Sequence, residues 1–478
     1  MDMKNQSVTL QQLKDVWPLP NAAQVETALA KELALFNGKI VVIDDDPTGV
    51  QTVYGVSVYT DWEAETIRDA FEESERMFFI LSNSRAFTAE QTAAEHRKIA
   101  RNVIAASKAS GKDFLLISRG DSTLRGHYPL ENQVLRDTLE EDGQSIHMDI
   151  IIPFFPEGGR FTCGDIHYVQ EGELLIPAGE TEFAKDKTFG YQSSNLREWV
   201  EEKTGGQVPA QGVLSISLKQ LREQQVEQIT STLERAEGFC RVVVNALDYL
   251  DLKVFTTALL QARRRGKRFL LRTAAGFTKV VYGKPDRPLL SREELVAPGN
   301  KLGGMVIVGS HVKKTSRQLE RLRELPRAEM IQLDQHLILK PEAFHQEIQR
   351  VIQASNEAIL QGKTAVVFTR RERLDINTGN PEDELRIAVE ISGALIDIVK
   401  GLSHPPAFLV AKGGITSSDI GVKALGVRKA TVMGQILPGI PVWKTGPESR
   451  YPGMSYVIFP GNVGKEEDLK LAVETMSP

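Results

Sequence analysis

Four polar clusters, each directly behind a short apolar run, carry the chemistry legible in the first half of this chain. Ile40-Val41-Val42-Ile43 runs into Asp44-Asp45-Asp46 and the turn Pro47-Thr48-Gly49. Met77–Leu81 runs into Ser82-Asn83-Ser84-Arg85, Phe114–Ile117 into a stretch holding Asp121, Ser122 and Arg125, and Asp149–Ile152 into one holding Arg160. Such runs read as strands buried on both faces, and the carboxyl ends of strands form the rim where open α/β sheets bind ligands. Carboxylates accept from hydroxyl groups, whereas guanidinium forks match a carboxylate or phosphate with two parallel bonds. A small hydroxy acid satisfies both. Three adjacent acids repel, so Asp44–Asp46 calls for a Mg²⁺ ion, a substrate hydroxyl or a proton, unless these side chains only cap the next turn. A surface salt-bridge network would leave the same pattern and be worth little.

In the second half the signals are glycine-rich. Val306-Ile307-Val308 leads into Gly309-Ser310-His311, Leu409-Val410-Ala411 into Lys412-Gly413-Gly414-Ile415-Thr416, and Phe459 into Pro460-Gly461-Asn462-Val463-Gly464. Glycines let backbone N–H groups approach a phosphate, and a following helix adds a favourable dipole. One Gly-Gly turn means almost nothing; three in one region make nucleotide binding plausible. Neither G-x-x-x-x-G-K-[ST] nor G-x-G-x-x-G occurs, which disfavours a P-loop enzyme or a Rossmann dehydrogenase. His311, Lys313 and Lys314 would neutralise phosphate charge or simply solvate a helix start. No single His, His127 and His167 included, stands out as a base.

The elements that position these loops alternate strand and helix, which argues for mainly parallel sheets covered by helices. Thr88 is a fitting N-cap for a helix that ends before Gly111. Further strands are expected at Gly212–Ile216, Arg241–Ala246, Arg268–Leu271, Met305–Val308, Thr364–Phe368, Ala407–Ala411 and Thr431–Met433, with a polar excursion over Ala184–Gly212. Gly283–Gly304 holds three Pro and four Gly and marks the domain boundary. The expected organisation is a helical arm (1–36), a first α/β domain (37–283), a linker (284–304) and a second α/β domain (305–478), facing each other across a cleft.

The chain has 478 residues, with 58 basic against 63 acidic side chains, a balance unlike that of a dedicated nucleic-acid binder. No stretch reads as a signal peptide or a membrane span. Cys163 and Cys240 fit no metal-ligand spacing and suit a reducing cytoplasm. A homodimer is the default oligomer.

Together these segments resemble the four-carbon acid sugar kinase family, ATP-dependent enzymes acting on tetronates and related small acids. The likeness runs from about Lys39 to the C-terminus. It rests on Asp45-Asp46-Pro47-Thr48-Gly49, on Asp121–Gly126, on Pro153–Thr162 with Arg160, and on Gly309-Ser310, Gly413-Gly414 and Pro460-Gly461-Asn462. It implies a substrate-binding first domain, a nucleotide-binding second one, and an active site between them. By this likeness Asp45, Asp46, Ser84, Arg85, Asp121, Arg125 and Arg160 lie on the sugar-acid side, and Ser310, Gly413, Gly414, Ile415, Thr416, Gly461 and Asn462 contact ATP. The family often has Gly-Gly-Glu-Thr where this chain has Gly413-Gly414-Ile415-Thr416, so the acid has no counterpart here. The expected reaction is transfer of the γ-phosphate of Mg·ATP to a terminal hydroxyl, with Asp45 or Asp121 as catalytic base and an arginine clamp on the acid's carboxylate. Asp121→Asn should then cut turnover far more than ATP affinity. The alternatives are a Mg²⁺-dependent lyase or aldolase on sugar acids, and a two-lobed binding protein without turnover.

Overall fold

The computed structural model describes residues 8–372, 374, 381–461 and 463–477, and the chain divides into two compact units, Met1–Asp286 and Arg287–Pro478. Both are α/β. In the first, β1 (Val8–Thr9) precedes two helices, Leu10–Val16 and Ala22–Leu35. Thr9 and Asn21 cap them through their side chains, and the second buries Val25, Leu29 and Leu33. Next come β2 (Lys39–Asp44), β3 (Ser57–Tyr59), β4 (Met77–Leu81), β5 (Phe114–Arg119) and β6 (Met148–Ile152). They are followed by β7 (Arg160–Cys163), β8 (Ile166–Glu171), β9 (Leu174–Pro177), β10 (Leu214–Ile216), β11 (Cys240–Val244) and β12 (Phe269–Thr273).

The main sheet of this unit runs β10-β11-β6-β12-β5-β2-β4-β3, with every pair parallel. β2, β4, β5 and β6 are buried along their whole length, as continuous apolar runs in a helix-covered parallel sheet must be. The helix Ala89–Ser110 begins on Thr88 with a full capping box and ends at Gly111, whose φ is 67°. Chain order reverses around β2, which sits between β5 and β4, and this is where such sheets open a crevice beyond their strand ends.

A smaller antiparallel sheet, β1-β9-β8-β7, has no counterpart in the sequence expectation. Arg160, expected in a loop, is instead the first residue of β7, paired with Val169. β7 and β8 join through Gly164-Asp165, both at positive φ (58° and 65°), the signature of a two-residue hairpin.

The second unit contains β13 (Met305–Val308), β14 (Ala328–Leu333), β15 (Thr364–Thr369), β16 (Leu409–Lys412), β17 (Lys429–Leu437), β18 (Ile440–Thr445) and β19 (Ser455–Phe459). Its strands follow the order β17-β18-β19-β16-β13-β15-β14. β19, β16, β13, β15 and β14 run parallel, and β18 is antiparallel to both of its neighbours. Its core joins Val306, Val308, Val366, Phe408, Val410, Val457 and Phe459 to helix residues Leu319, Leu469 and Val473. Among the described residues no helix is long and apolar enough to cross a membrane.

Candidate functional site

In the first unit the loops after β2, β4 and β5 are brought together, since these three strands are neighbours. The three carboxylates after β2 do not stay unpaired. Arg119, the last residue of β5, donates from Nη1 to Asp44 Oδ1 at 3.0 Å and to Asp45 Oδ1 at 3.2 Å. Arg85 pairs with Asp46, lies with Nε 3.3 Å from Asp45 Oδ2, and reaches Asp121 Oδ1 at 3.9 Å. Arg125 donates from Nε to Asp121 Oδ2 at 2.7 Å, and Thr123 donates to the same oxygen. Two residues in these loops hold left-handed backbone without being glycine, Asn83 (φ 54°) and Leu124 (φ 68°). Strain of this kind persists where surrounding structure fixes it, characteristically at ligand sites.

The acids end up electrically unlike. Burial pushes the Asp44 carboxyl up to about 8 against the pull of Arg119. Asp45 is likewise raised by burial, which Arg85 and Arg119 only partly offset. At Asp46 and Asp121 burial acts the same way but loses, to Arg85 and Arg119 at the first and to Arg125 and Arg85 at the second, so both carboxyls lie below their ordinary range. Asp45 Oδ2 is buried and accepts no hydrogen bond. It lies beside Gly126, where an added Cβ would come within 3.3 Å of it and 2.8 Å of Arg272 Nη2, at a φ of 120° that favours glycine. Asp44 and Asp45 are thus shifted toward holding a proton, Asp45 with one oxygen free of hydrogen bonds, and Asp121 is shifted the opposite way.

Arg160 is the exception among the guanidiniums. It is 5% exposed, its Nε has no hydrogen-bond partner, and among the described residues it forms no ion pair. Burial brings its pKa down to about 10, with Asp121 pulling the other way. Its Cζ lies 5.6 Å from the centroid of the Phe183 ring, and that of Arg125 lies 5.1 Å from the same centroid. A buried cation without an ion pair is costly, and its planar fork matches a carboxylate or a phosphate. β6 is not a neighbour of β5, because β12 lies between them; Arg160 approaches Asp121 from β7.

Ser84 is fully buried and donates from Oγ to Glu131 Oε1 at 2.7 Å. Sequence reasoning missed that layer: Arg119, Glu131 and Arg272 form the floor beneath the site. Arg119 and Arg272 are cations in or ending apolar strands, the same signal that singled out Asp44–Asp46. His167 is buried and neutral, depressed to about 4 by burial, donating from Nε2 to the Ser122 carbonyl at 2.8 Å.

In the second unit the ends of β19, β16 and β13, adjacent in the sheet, bring Gly461, Gly413 and Ser310 together. A Cβ on Gly413 would sit 3.3 Å from Ser310 Cβ, and one on Gly461 3.8 Å from Ser310 Oγ. Gly413 holds φ 117°, which suits glycine alone. The chain turns there into the helix Gly414–Asp419, with Thr416 packed against Gly309 and Ile415 68% exposed. Asn462 lies outside the described residues.

Two further cations belong to this group. Lys412 is fully buried; its Nζ donates to the carbonyls of Pro460 and Gly461, lies 4.3 Å from the Phe459 ring centroid, and is depressed to about 7 by burial. Arg371, just beyond β15, donates from Nη2 to the Ser310 carbonyl at 2.7 Å and to Ser316 Oγ at 2.9 Å. The tight, amide-lined approach of these turns fits a nucleotide's phosphates. No group of three His, Cys, Asp or Glu side chains suited to a metal occurs among the described residues, and Mg²⁺ carried on nucleotide phosphates needs only one or two carboxylates.

Comparison with known proteins agrees with this division. Residues 40–281 match the model of a sugar-binding N-terminal domain, and residues 305–469 that of a nucleotide-binding C-terminal domain. No curated protein matches the sequence. Among solved structures, a Haemophilus influenzae protein of the DUF1537 family is 18% identical with a TM-score of 0.59, covering 91% of this chain and 100% of its own. A Salmonella typhimurium LT2 protein provisionally described as a tRNA synthase is also 18% identical, with a TM-score of 0.64 and coverage of 91% and 98%. At that identity these two show a shared fold. The two domain matches span most of the sequence, and the chain belongs to the family that joins a sugar-binding N-terminal domain to a nucleotide-binding C-terminal one, the DUF1537 or four-carbon acid sugar kinase architecture.

Proposed function

We propose that this protein is an ATP-dependent kinase that phosphorylates a terminal hydroxyl of a small sugar acid, four-carbon or similar, such as a tetronate or 3-oxo-tetronate. The observation that supports the reading is Arg160, a buried guanidinium whose Nε has no hydrogen-bond partner and which forms no ion pair among the described residues, in the field of Asp121 in the sugar-binding domain. The acid's carboxylate supplies the missing charge, and Arg125 adds a second cation. Asp45 Oδ2 accepts the proton of the hydroxyl as its oxygen bonds to the γ-phosphorus, while the bond to the β–γ bridging oxygen breaks and ADP leaves. Gly413, Gly461 and Ser310 receive the nucleotide, whose phosphates carry Mg²⁺ and the neutralisation that ion supplies. The two free thiols, Cys163 and Cys240, fit a reducing cytoplasm.

A coupled ADP-release screen with Mg·ATP over four- and five-carbon aldonic and oxo-acids tests this. ADP release that depends on one of these acids is expected. ADP release independent of every acid, or acid cleavage without ADP, would overturn the kinase reading.

A further inference from the structure

The segment from Ala178 to Tyr191 leaves the small antiparallel sheet after β9 and folds over the two guanidiniums that the proposed reaction uses. It is held by specific bonds rather than draped loosely. Tyr191 donates its buried hydroxyl to the Thr123 carbonyl at 2.7 Å, inside the Asp121–Gly126 loop, and its N–H to the Ala184 carbonyl at 3.0 Å. Ala178, Ala184 and Tyr191 share a core cluster with Leu124, and Phe183 packs against it. The segment thereby presents two side chains to the site. Phe183 lies under both Arg125 and Arg160. Asp186, whose oxygen Oδ1 accepts from the amides of Thr188 and Phe189, keeps Oδ2 3.6 Å from Arg125 Nη1, too long for a hydrogen bond. Arg125, bonded through Nε to Asp121, is thus faced at Nη1 by a second carboxylate of the protein's own, set at a distance where it attracts more weakly.

We propose that this segment is the specificity element of the acid site: Phe183 limits the length of the acid that can lie against Arg160, and Asp186 is an internal stand-in that the acid's carboxylate displaces from Arg125. The proposal rests on the sugar-acid reading above. A partly exposed pair at this distance is weak, so its removal should tighten acid binding by only about 1.4- to fivefold.

The test is calorimetric titration of the full chain with D-erythronate, D-ribonate and D-gluconate, for the wild type, Asp186→Asn, Phe183→Ala and Phe183→Leu, each checked for folding by thermal unfolding. Asp186→Asn is expected to bind the preferred acid about 1.4- to fivefold more tightly. Phe183→Ala is expected to shift the affinity ratio at least tenfold toward the longer acids, and the conservative Phe183→Leu to shift it less. Weaker binding in Asp186→Asn, or an unchanged length ratio in both folded Phe183 variants, overturns the proposal while the wild type's binding leaves the kinase reading standing. A wild type that binds none of the three acids overturns the length proposal, and the ADP-release screen over the wider set of aldonic and oxo-acids decides the kinase reading separately.

Discussion

Arg272 donates from Nη1 to Glu131 Oε2 at 2.6 Å, and both side chains are buried. The guanidinium fills the hollows at Gly120 and Gly126, positions where a Cβ would collide with it, and its Nη2 donates to the Arg125 carbonyl at 3.1 Å. Glu131 in turn accepts from Ser84 and lies 3.8 Å from His96. One buried pair therefore carries the underside of both the Arg85 loop and the Arg125 loop. Removing one partner strands a charge in the interior, which costs about 3–5 kcal/mol. Arg272→Met should lower the unfolding free energy by that amount in a denaturant titration, and adding Glu131→Gln should restore part of it, the coupling expected of groups in contact.

Arg160 gives the opposite signature. Its burial without an ion pair among the described residues weighs against folding, so Arg160→Met should leave the unliganded protein at least as stable as the wild type, while acid binding weakens. Hydrogen bonds to charged groups contribute about 1.5–3 kcal/mol, which predicts a loss of tenfold or more in affinity. Titration calorimetry and unfolding midpoints on the same variant check both halves.

The two acids at the site should separate kinetically. Asp45→Asn removes the proposed proton acceptor and should lower kcat by about 10²–10⁴ with nucleotide affinity unchanged. Asp121 is held below its ordinary range by Arg125 and Arg85, with burial opposing them, and on the proposed mechanism it positions those guanidiniums. Asp121→Asn should therefore act chiefly on the acid's KM, a different emphasis from the loss of turnover expected from sequence. Steady-state kinetics with each substrate varied distinguishes the two outcomes.

Lys412 links stability to pH in the second unit. Its pKa is about 7 in the folded chain against 10.5 for an ordinary lysine, because burial penalises the charge. Between those values the unfolded chain binds the extra proton, so this residue makes stability rise with pH and weighs against the fold below pH 7. Relative to Lys412→Met, the wild type should gain on the order of a few kcal/mol on going from pH 7 to pH 10. Measuring the difference between the two proteins cancels the tyrosines and cysteines that titrate in the same range.

Much of this was readable from local pattern. Continuous apolar runs gave β2, β4 and β13 nearly to the residue, and Thr88 and Gly111 marked the ends of one helix because caps follow from backbone needs alone. The hairpins were missed although their turns were written out. Gly164-Asp165, Gly172 and Pro438-Gly439 are turn residues at the right spacing, but flanking strands of mixed polarity hid them. The buried ionic floor was out of reach for another reason. Glu131 lies in a helix that reads as ordinary, Leu130–Glu141, and only the fold reveals that this residue faces inward to Arg272. Charge identity is local; charge pairing across 141 positions is not.

The first strand of the chain has a practical meaning for anyone handling the protein. Val8–Thr9 covers the outer border of Leu174–Pro177, and Arg222 clasps the Trp17 carbonyl at 2.8 Å. Trimming a clone to begin near Lys39 would bare that border in the very ribbon that holds Arg160, inviting strand exchange between molecules. An affinity tag fused at the far end of the sequence is the more cautious choice.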